Sequence, residues 1–300
     1  VRVKNFELAI ILCAVFFLFF LAIHLNFPLQ KNQDYSTHFS IASGGVPSDM
    51  TAERVAEYPP LFDWLASFFI FRNEVWVFFY LFLFAFLTPL TIFFITKSVY
   101  SVWFYFSISS YFYFTIQGLF PQGLIILFVL LMFASKNLYL RLLLVLLGIL
   151  THSTGIFLMP LVLILIYLKE YYVIWKVNKL FGCVPMVPIG VVESVGSRVA
   201  VFTYNDLIAF LLKVSPIPFC WFGLKWLWKN KEFGWLVLFA ISFLGALFYS
   251  NRIIYFTGVI CVIGFSQYFE ESNNKKWWLV LSLIWFVIEF WSWVQNALFC

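Results

Sequence analysis

Apolar runs of about span length, divided by short polar breaks, fill almost the whole chain, so the breaks carry most of the information. The first run, 8–27, is interrupted only near its end, by His24 and Asn26. At about 1.5 Å per helical residue it crosses a hydrocarbon core of roughly 30 Å. Its length and the lack of a small-residue cleavage site predict a retained first span rather than a secretory leader, with His24 as an interfacial residue. Further spans are predicted at 75–96, 99–119 and 122–135, the last opened by Phe120-Pro121, where proline suits a helix start. A proline-interrupted segment follows at 180–192, then spans at 207–224, 233–249 and 253–269, and a Trp-rich span to the end. The pattern predicts an all-α polytopic transmembrane bundle of about 10 to 11 spans, a single integral-membrane domain over 1–300.

Charge changes the picture at one place. Most of the 19 basic residues fall at alternate breaks: Arg2 and Lys4, Lys97, Lys136 and Arg141, Lys169, Lys176 and Lys179, Lys225, Lys229 and Lys231, Lys275 and Lys276. The positive-inside bias puts these breaks and the amino terminus in the cytoplasm. The run 142–168 is long for one span and short for two. As one span it would put its two basic flanks on opposite sides of the membrane. As a hairpin turning at Thr151-His152-Ser153 it keeps both inside, and His152 then faces out.

Composition fixes the solvent. With 63% hydrophobic residues, 23% aromatics and 11% charge, and a mean hydropathy of +0.95, the chain has too little polar surface for a water-soluble globule of its size. The net charge of +5 is distributed by membrane side, which leaves a nucleic-acid partner without support. The five cysteines show neither CxxC nor ligand spacing and read as small packing residues.

One long polar segment remains, the first outer loop at 28–74. It carries Asp34, His38, Asp49, Glu53, Glu57, Tyr58 and Asp63, and its stretch 61–71, rich in Trp and Phe but too short to span, predicts an interfacial helix. On the same side the span count gathers Gln122, His152, Arg198 and Arg252. Such a face suits a substrate with a charged head and a long lipid tail; the same residues also read as ordinary solvated loop groups. His38 lies one helical turn from Asp34, where it would orient the carboxylate or share a cation with it. Asp34, His38 and Asp49 are the candidate ligands for a divalent cation.

The pattern Asp34-x3-His38, the Gly44-Gly45-x-Pro47 turn and Tyr58-Pro59-Pro60-Leu61, in the first outer loop after one amino-terminal span, resembles the GT-C superfamily of integral-membrane glycosyltransferases. The stretch 148–165 is similar to the family's Gly, polar residue, Gly, then Pro and leucine run, and Arg252 before a late apolar span resembles an arginine that meets the donor phosphate. The resemblance implies an inverting transfer of a sugar from a polyprenyl- or dolichyl-phosphate carrier to an acceptor on the non-cytoplasmic face, in the plasma membrane of a prokaryote. Asp34 would be the base that takes the acceptor proton. Arg252 would hold the leaving phosphate. His38, Tyr58, Gln122 and His152 would bind substrate; some members need a divalent cation, Mg2+ or Mn2+, for which this chain would offer Asp34, His38 and Asp49, and no cofactor is fixed by the resemblance. The chain is short for the superfamily, and relatives often carry a basic residue at the place of His152 or Ser153. A transporter or flippase of lipid-linked glycans, a polysaccharide polymerase and a non-catalytic membrane subunit remain open as alternatives; Lys213 and Glu289 are the charges well inside predicted spans, with no obvious partner.

Overall fold

A computed structural model describes residues 2–26, 40–41, 45–46, 60–68, 73–117, 120–175, 217–248 and 254–298, and its regular elements over these residues are all helical. The elements are α1 (Arg2–Asn26), α2 (Pro60–Ser67), α3 (Asn73–Leu81), a π-helical turn (Phe82–Leu87), α4 (Thr88–Thr96), α5 (Tyr100–Ile108), α6 (Ser110–Gln117), α7 (Phe120–Ala134), α8 (Leu138–Thr151), α9 (Ser153–Trp175), α10 (Ile217–Lys229), α11 (Phe233–Phe248), α12 (Ile254–Glu271) and α13 (Lys275–Leu298). Three helical stretches among the described residues, Lys4–Asn26, Val77–Thr96 and Lys275–Gln295, have the length and apolar character of membrane spans. Pro121–Ala134, Leu138–Thr151, Leu158–Tyr167 and Phe233–Phe243 are shorter apolar helices. On α13, Val280, Leu281, Ile284, Val287, Ile288 and Trp291 are exposed, an outward apolar face that suits hydrocarbon better than water.

Two expected spans are irregular inside. Helix α3 runs into α4 through the π-helical turn, whose position follows from Pro89. A proline in a helix removes one i→i−4 bond and its ring collides with the carbonyl four residues back, here that of Ala85. The widened turn redirects the neighbouring groups. The Thr88 backbone N–H donates to the Leu83 oxygen, and the Thr88 hydroxyl donates to the same oxygen at 2.8 Å. The predicted span 99–119 is two helices rather than one: Ser109, extended at φ −101° and ψ 109°, separates α5 from α6. Buried hydroxyls pin the pieces, with Tyr105 donating to the Phe84 oxygen of the π turn at 2.8 Å and Tyr113 to the Phe106 oxygen at 3.0 Å.

Rings and close backbone crossings make the core. Phe16 stacks on Phe106 at 4.0 Å between centroids, and Phe20 meets Phe112 edge-on at 4.6 Å. Helices α10 and α12 pack closely because a Cβ on Gly264 would stand 2.5 Å from the Gly223 oxygen, so only glycine permits that approach. Helix α2 begins at Pro60 and covers the first part of the predicted interfacial stretch. Its Trp64 and the adjoining Phe68 are largely exposed and meet edge to face at 4.8 Å.

Contacts at the helix ends sort the charges. The Ser98 hydroxyl donates to Glu270 Oε1 at 2.6 Å, Trp226 Nε1 to Glu271 Oε1 at 2.9 Å, and Gln267 to the Thr96 oxygen. Phe133 stacks on Trp235 at 4.0 Å, and Phe6 lies 5.6 Å from Phe94. These contacts put the start of α1 and the turns 97–99, 135–137, 230–232 and 272–274 at one end of the bundle. That end carries Lys4, Lys97, Lys136, Lys225, Lys229, Lys231, Lys275 and Lys276. Two of the turns use a left-handed residue, Lys97 at φ 60° and Lys231 at φ 59°, the conformation that closes a helix by returning an N–H to its last turn.

Candidate functional site

Two of the residues singled out in the sequence meet. Gln122 Nε2 lies 3.3 Å from His152 Nε2, in a half-buried position. The amide is a donor and neutral imidazole accepts through one ring nitrogen, so Gln122 donates when Nε2 of His152 is unprotonated. Turned over, the same amide offers its oxygen to an imidazolium. The pair can therefore present either polarity to a ligand.

Local sequence explains why each side chain is there. Helix α8 starts at Asn137, whose Oδ1 caps the N–H groups of Tyr139 and Leu140 at 2.9 and 3.3 Å. It ends at His152, extended at φ −161° and ψ 151°, and the Gly155 N–H returns to the His152 oxygen at 2.8 Å. The chain then reverses. A Cβ on Gly148 would lie 2.5 Å from Met159 Cγ, whereas eleven residues of continuous helix would hold the two about 16 Å apart. Gly155 faces the Gly148 carbonyl with no room for a Cβ, so these glycines let α8 and α9 close and leave His152 on the outside of the corner. The hairpin expected from the charges is the observed course of the chain.

Gln122 is fixed from below. Pro121 occupies the first turn of α7, and a Cβ on the next residue, Gly123, would come within 2.8 Å of the Phe84 ring. The Tyr111 hydroxyl donates to the Gly123 oxygen at 2.9 Å. Gln122 thus stands on a buried joint between α7, α6 and the π turn. Both site residues lie far from the lysine-bearing turns, since α7 and α8 run about 20 Å from those turns to the pair.

Asp34, His38, Asp49, Tyr58 and Arg252 lie outside the described residues, as do Glu57, Arg198 and Lys213. The cation set suggested by Asp34, His38 and Asp49 therefore lies outside them too. Among the described residues there is no group of three or more His, Cys, Asp or Glu side chains that would hold a metal ion. Glu289 has a partner that the sequence did not suggest: Trp285 Nε1, one turn earlier on α13, donates to its Oε1 at 3.2 Å.

His24 is the polar residue whose surroundings sequence reasoning missed. Its Nδ1 lies 2.8 Å from the Phe20 oxygen, and a carbonyl only accepts, so Nδ1 carries the proton and Nε2 of the neutral ring is an acceptor. Among the described residues, Nε2 is buried without a hydrogen-bond partner, as is Nε1 of Trp293. The two rings are 5.7 Å apart, and Tyr80 stands edge-on to His24 at 5.8 Å. In sequence His24 shows only as a polar residue near a span end; Trp293 joins it from the last helix. No protein-family model matches the chain, and neither a curated protein nor a solved structure is significantly similar to it.

Proposed function

We propose that the chain is an inverting glycosyltransferase of the GT-C kind, which moves a sugar from a polyprenyl- or dolichyl-phosphate carrier to an acceptor hydroxyl on the non-cytoplasmic face of the membrane. The observation that carries the reading is the meeting of Gln122 and His152 at the end of the bundle remote from the lysine-bearing turns. On this reading the lysine end faces the cytoplasm of a prokaryotic cell, about 10 to 11 spans make up the bundle, and the first loop brings Asp34 to the other face. The acceptor oxygen attacks the anomeric carbon while Asp34 takes its proton. The bond from that carbon to the carrier phosphate breaks, and the phosphate leaves with the electron pair, held by Arg252. Gln122 and His152, joined by His38 and Tyr58, hold sugar or phosphate oxygens, and any Mg2+ or Mn2+ would sit with Asp34, His38 and Asp49.

The test is release of carrier from a panel of polyprenyl-phosphate sugars by purified protein in lipid vesicles. Asp34→Asn keeps shape and loses the proton acceptor, so turnover falls by at least about a hundredfold with expression and melting unchanged. Near-normal turnover in that variant removes Asp34 as base, and carrier release from no donor removes the enzyme reading. A second reading, a flippase of lipid-linked glycans, is favoured by the break at Ser109. Transporters place binding groups at interrupted helices, and the buried Ser107 and Ser109 hydroxyls beside this break have no hydrogen-bond partner among the described residues. Movement of a labelled lipid-linked sugar across the vesicle wall without its cleavage selects it.

A further inference from the structure

We propose that Cys220 and Cys261 form a paired modification site, two thiols that a membrane-soluble hydroperoxide closes into a disulfide across the crossing of α10 and α12. One spacing occurs twice in the sequence, Cys220-x-x-Gly223 on one helix and Cys261-x-x-Gly264 on the other, and about one helical turn separates the members of each motif. The fold brings the two copies into register. Phe219 meets Phe265 at 4.8 Å and Phe222 stacks on Tyr268 at 4.8 Å, while Trp226 donates to Glu271, so α10 and α12 run parallel and side by side. Among these contacts, a Cβ on Gly223 would stand 2.8 Å from the Cys261 oxygen, and one on Gly264 2.5 Å from the Gly223 oxygen. One turn before this backbone crossing the two thiols are in side-chain hydrogen-bond contact. Both are free. A disulfide needs Cα atoms within about 7 Å and side chains directed at one another, and two thiols that already touch beside a backbone crossing are placed for it.

The surroundings select the oxidant. By helix length Cys220 lies about 14 Å from Lys229 and Cys261 about 15 Å from Glu271, which in the membrane arrangement proposed above is near the middle of a hydrocarbon core of about 30 Å. A polar oxidant partitions poorly to that depth, and a lipid-soluble hydroperoxide does not. Cys220 is the less buried thiol, 9% exposed against 0% for Cys261, and its neighbours Ile217 and Trp221 are exposed on α10. Apolar burial keeps an isolated thiol slow, but here the second sulfur is already within reach of the first. The Cys220 sulfur attacks the peroxide: an S–O bond forms, the O–O bond breaks, and the alkoxide leaves with the electron pair and takes the thiol proton as an alcohol. Cys220 is then a sulfenic acid. The Cys261 sulfur attacks the Cys220 sulfur, the S–S bond forms, the S–O bond breaks, and hydroxide departs with the Cys261 proton as water. Two thiols lose two electrons, and one hydroperoxide is reduced to an alcohol and water.

The test exposes the full chain in lipid nanodiscs to cumene hydroperoxide, then alkylates it and digests it with trypsin without reduction. Peptides 214–225 and 253–275, cut at Lys213, Lys225, Arg252 and Lys275, are expected to appear joined, two hydrogens lighter than their sum, and to separate on reduction. Cys261→Ser is expected to leave Cys220 as a sulfenic acid that dimedone traps. Cys220→Ser is expected to slow oxidation of the remaining Cys261 thiol at least about tenfold, because the wholly buried sulfur then stands alone. Unchanged melting of both variants separates lost chemistry from lost folding. If the two peptides stay separate in the folded protein at a dose that joins them after unfolding in detergent, the thiols only pack and the proposal is overturned. It is overturned equally if Cys220 joins Cys183 or Cys300 as readily as Cys261. If hydrogen peroxide at equal concentration links the pair faster, the oxidant arrives from water and the membrane-soluble class is wrong.

Discussion

Arg141 is 4% exposed, yet it sits where the sequence suggests a cytoplasmic flank. Its Nε–H donates to the oxygens of Met132 and Ser135 at 3.2 and 3.0 Å, and its guanidinium lies 5.7 Å from the Tyr167 ring. The last carbonyls of a helix lack intrahelical donors and carry partial negative charge, so the end of α7 gives this cation a partner that no count of spans contains. Glu289 teaches the same lesson through Trp285. Arg252 poses the converse case, a cation at an expected outer corner, against the positive-inside bias. Grip on a leaving phosphate predicts that Arg252→Lys, which replaces a two-toothed fork by a point charge, loses about tenfold in kcat/KM, and that Arg252→Ala lowers kcat as well as raising the donor KM. Equal activity of all three proteins would leave Arg252 as an anchor for lipid headgroups. The comparison is steady-state kinetics over donor concentration.

At the scale of helices, the corner at His152 was legible because the side on which the basic flanks fall decided what the length of the apolar run, long for one span and short for two, left open. The break at Ser109 was not. Residues 104–114 hold neither glycine nor proline, and the interruption is supported by contacts from elsewhere, notably Tyr113 on the Phe106 oxygen. The π turn had its signal in Pro89, which a hydropathy pattern passes over. At the corner, Gly155→Val places a side chain against the Gly148 carbonyl. The variant is expected to lose about 1–3 kcal/mol, measured as a lowered midpoint in detergent unfolding, and to lose carrier release as His152 moves away from Gln122. An unchanged midpoint would mean that the two helices do not cross there as tightly as the structure has them.

Across the whole molecule, the alternation of basic breaks proves to be a spatial sorting, because the turns that carry lysine are joined by Ser98 to Glu270 and by Trp226 to Glu271. In a cysteine-free background, Ser153→Cys is expected to react with an impermeant thiol reagent from outside intact cells, and Asn273→Cys only after lysis. Labelling of Ser153→Cys only after lysis would reverse the bundle in the membrane. The candidate site was less legible than the fold. Gln122 and His152 could be named from their side of the membrane, but the His24 corner depends on α1 meeting α13, a pairing with no trace in local pattern. The four lysine-end turns have a mechanical consequence. Each spans three residues, 97–99, 135–137, 230–232 and 272–274, between helices that begin and end beside them, so at no more than about 3.6 Å per residue the chain tethers each pair of helix ends close together. Helix α8 is clamped at both ends, by the turn 135–137 and by the one-residue corner at His152, and can therefore shift only together with α7 and α9.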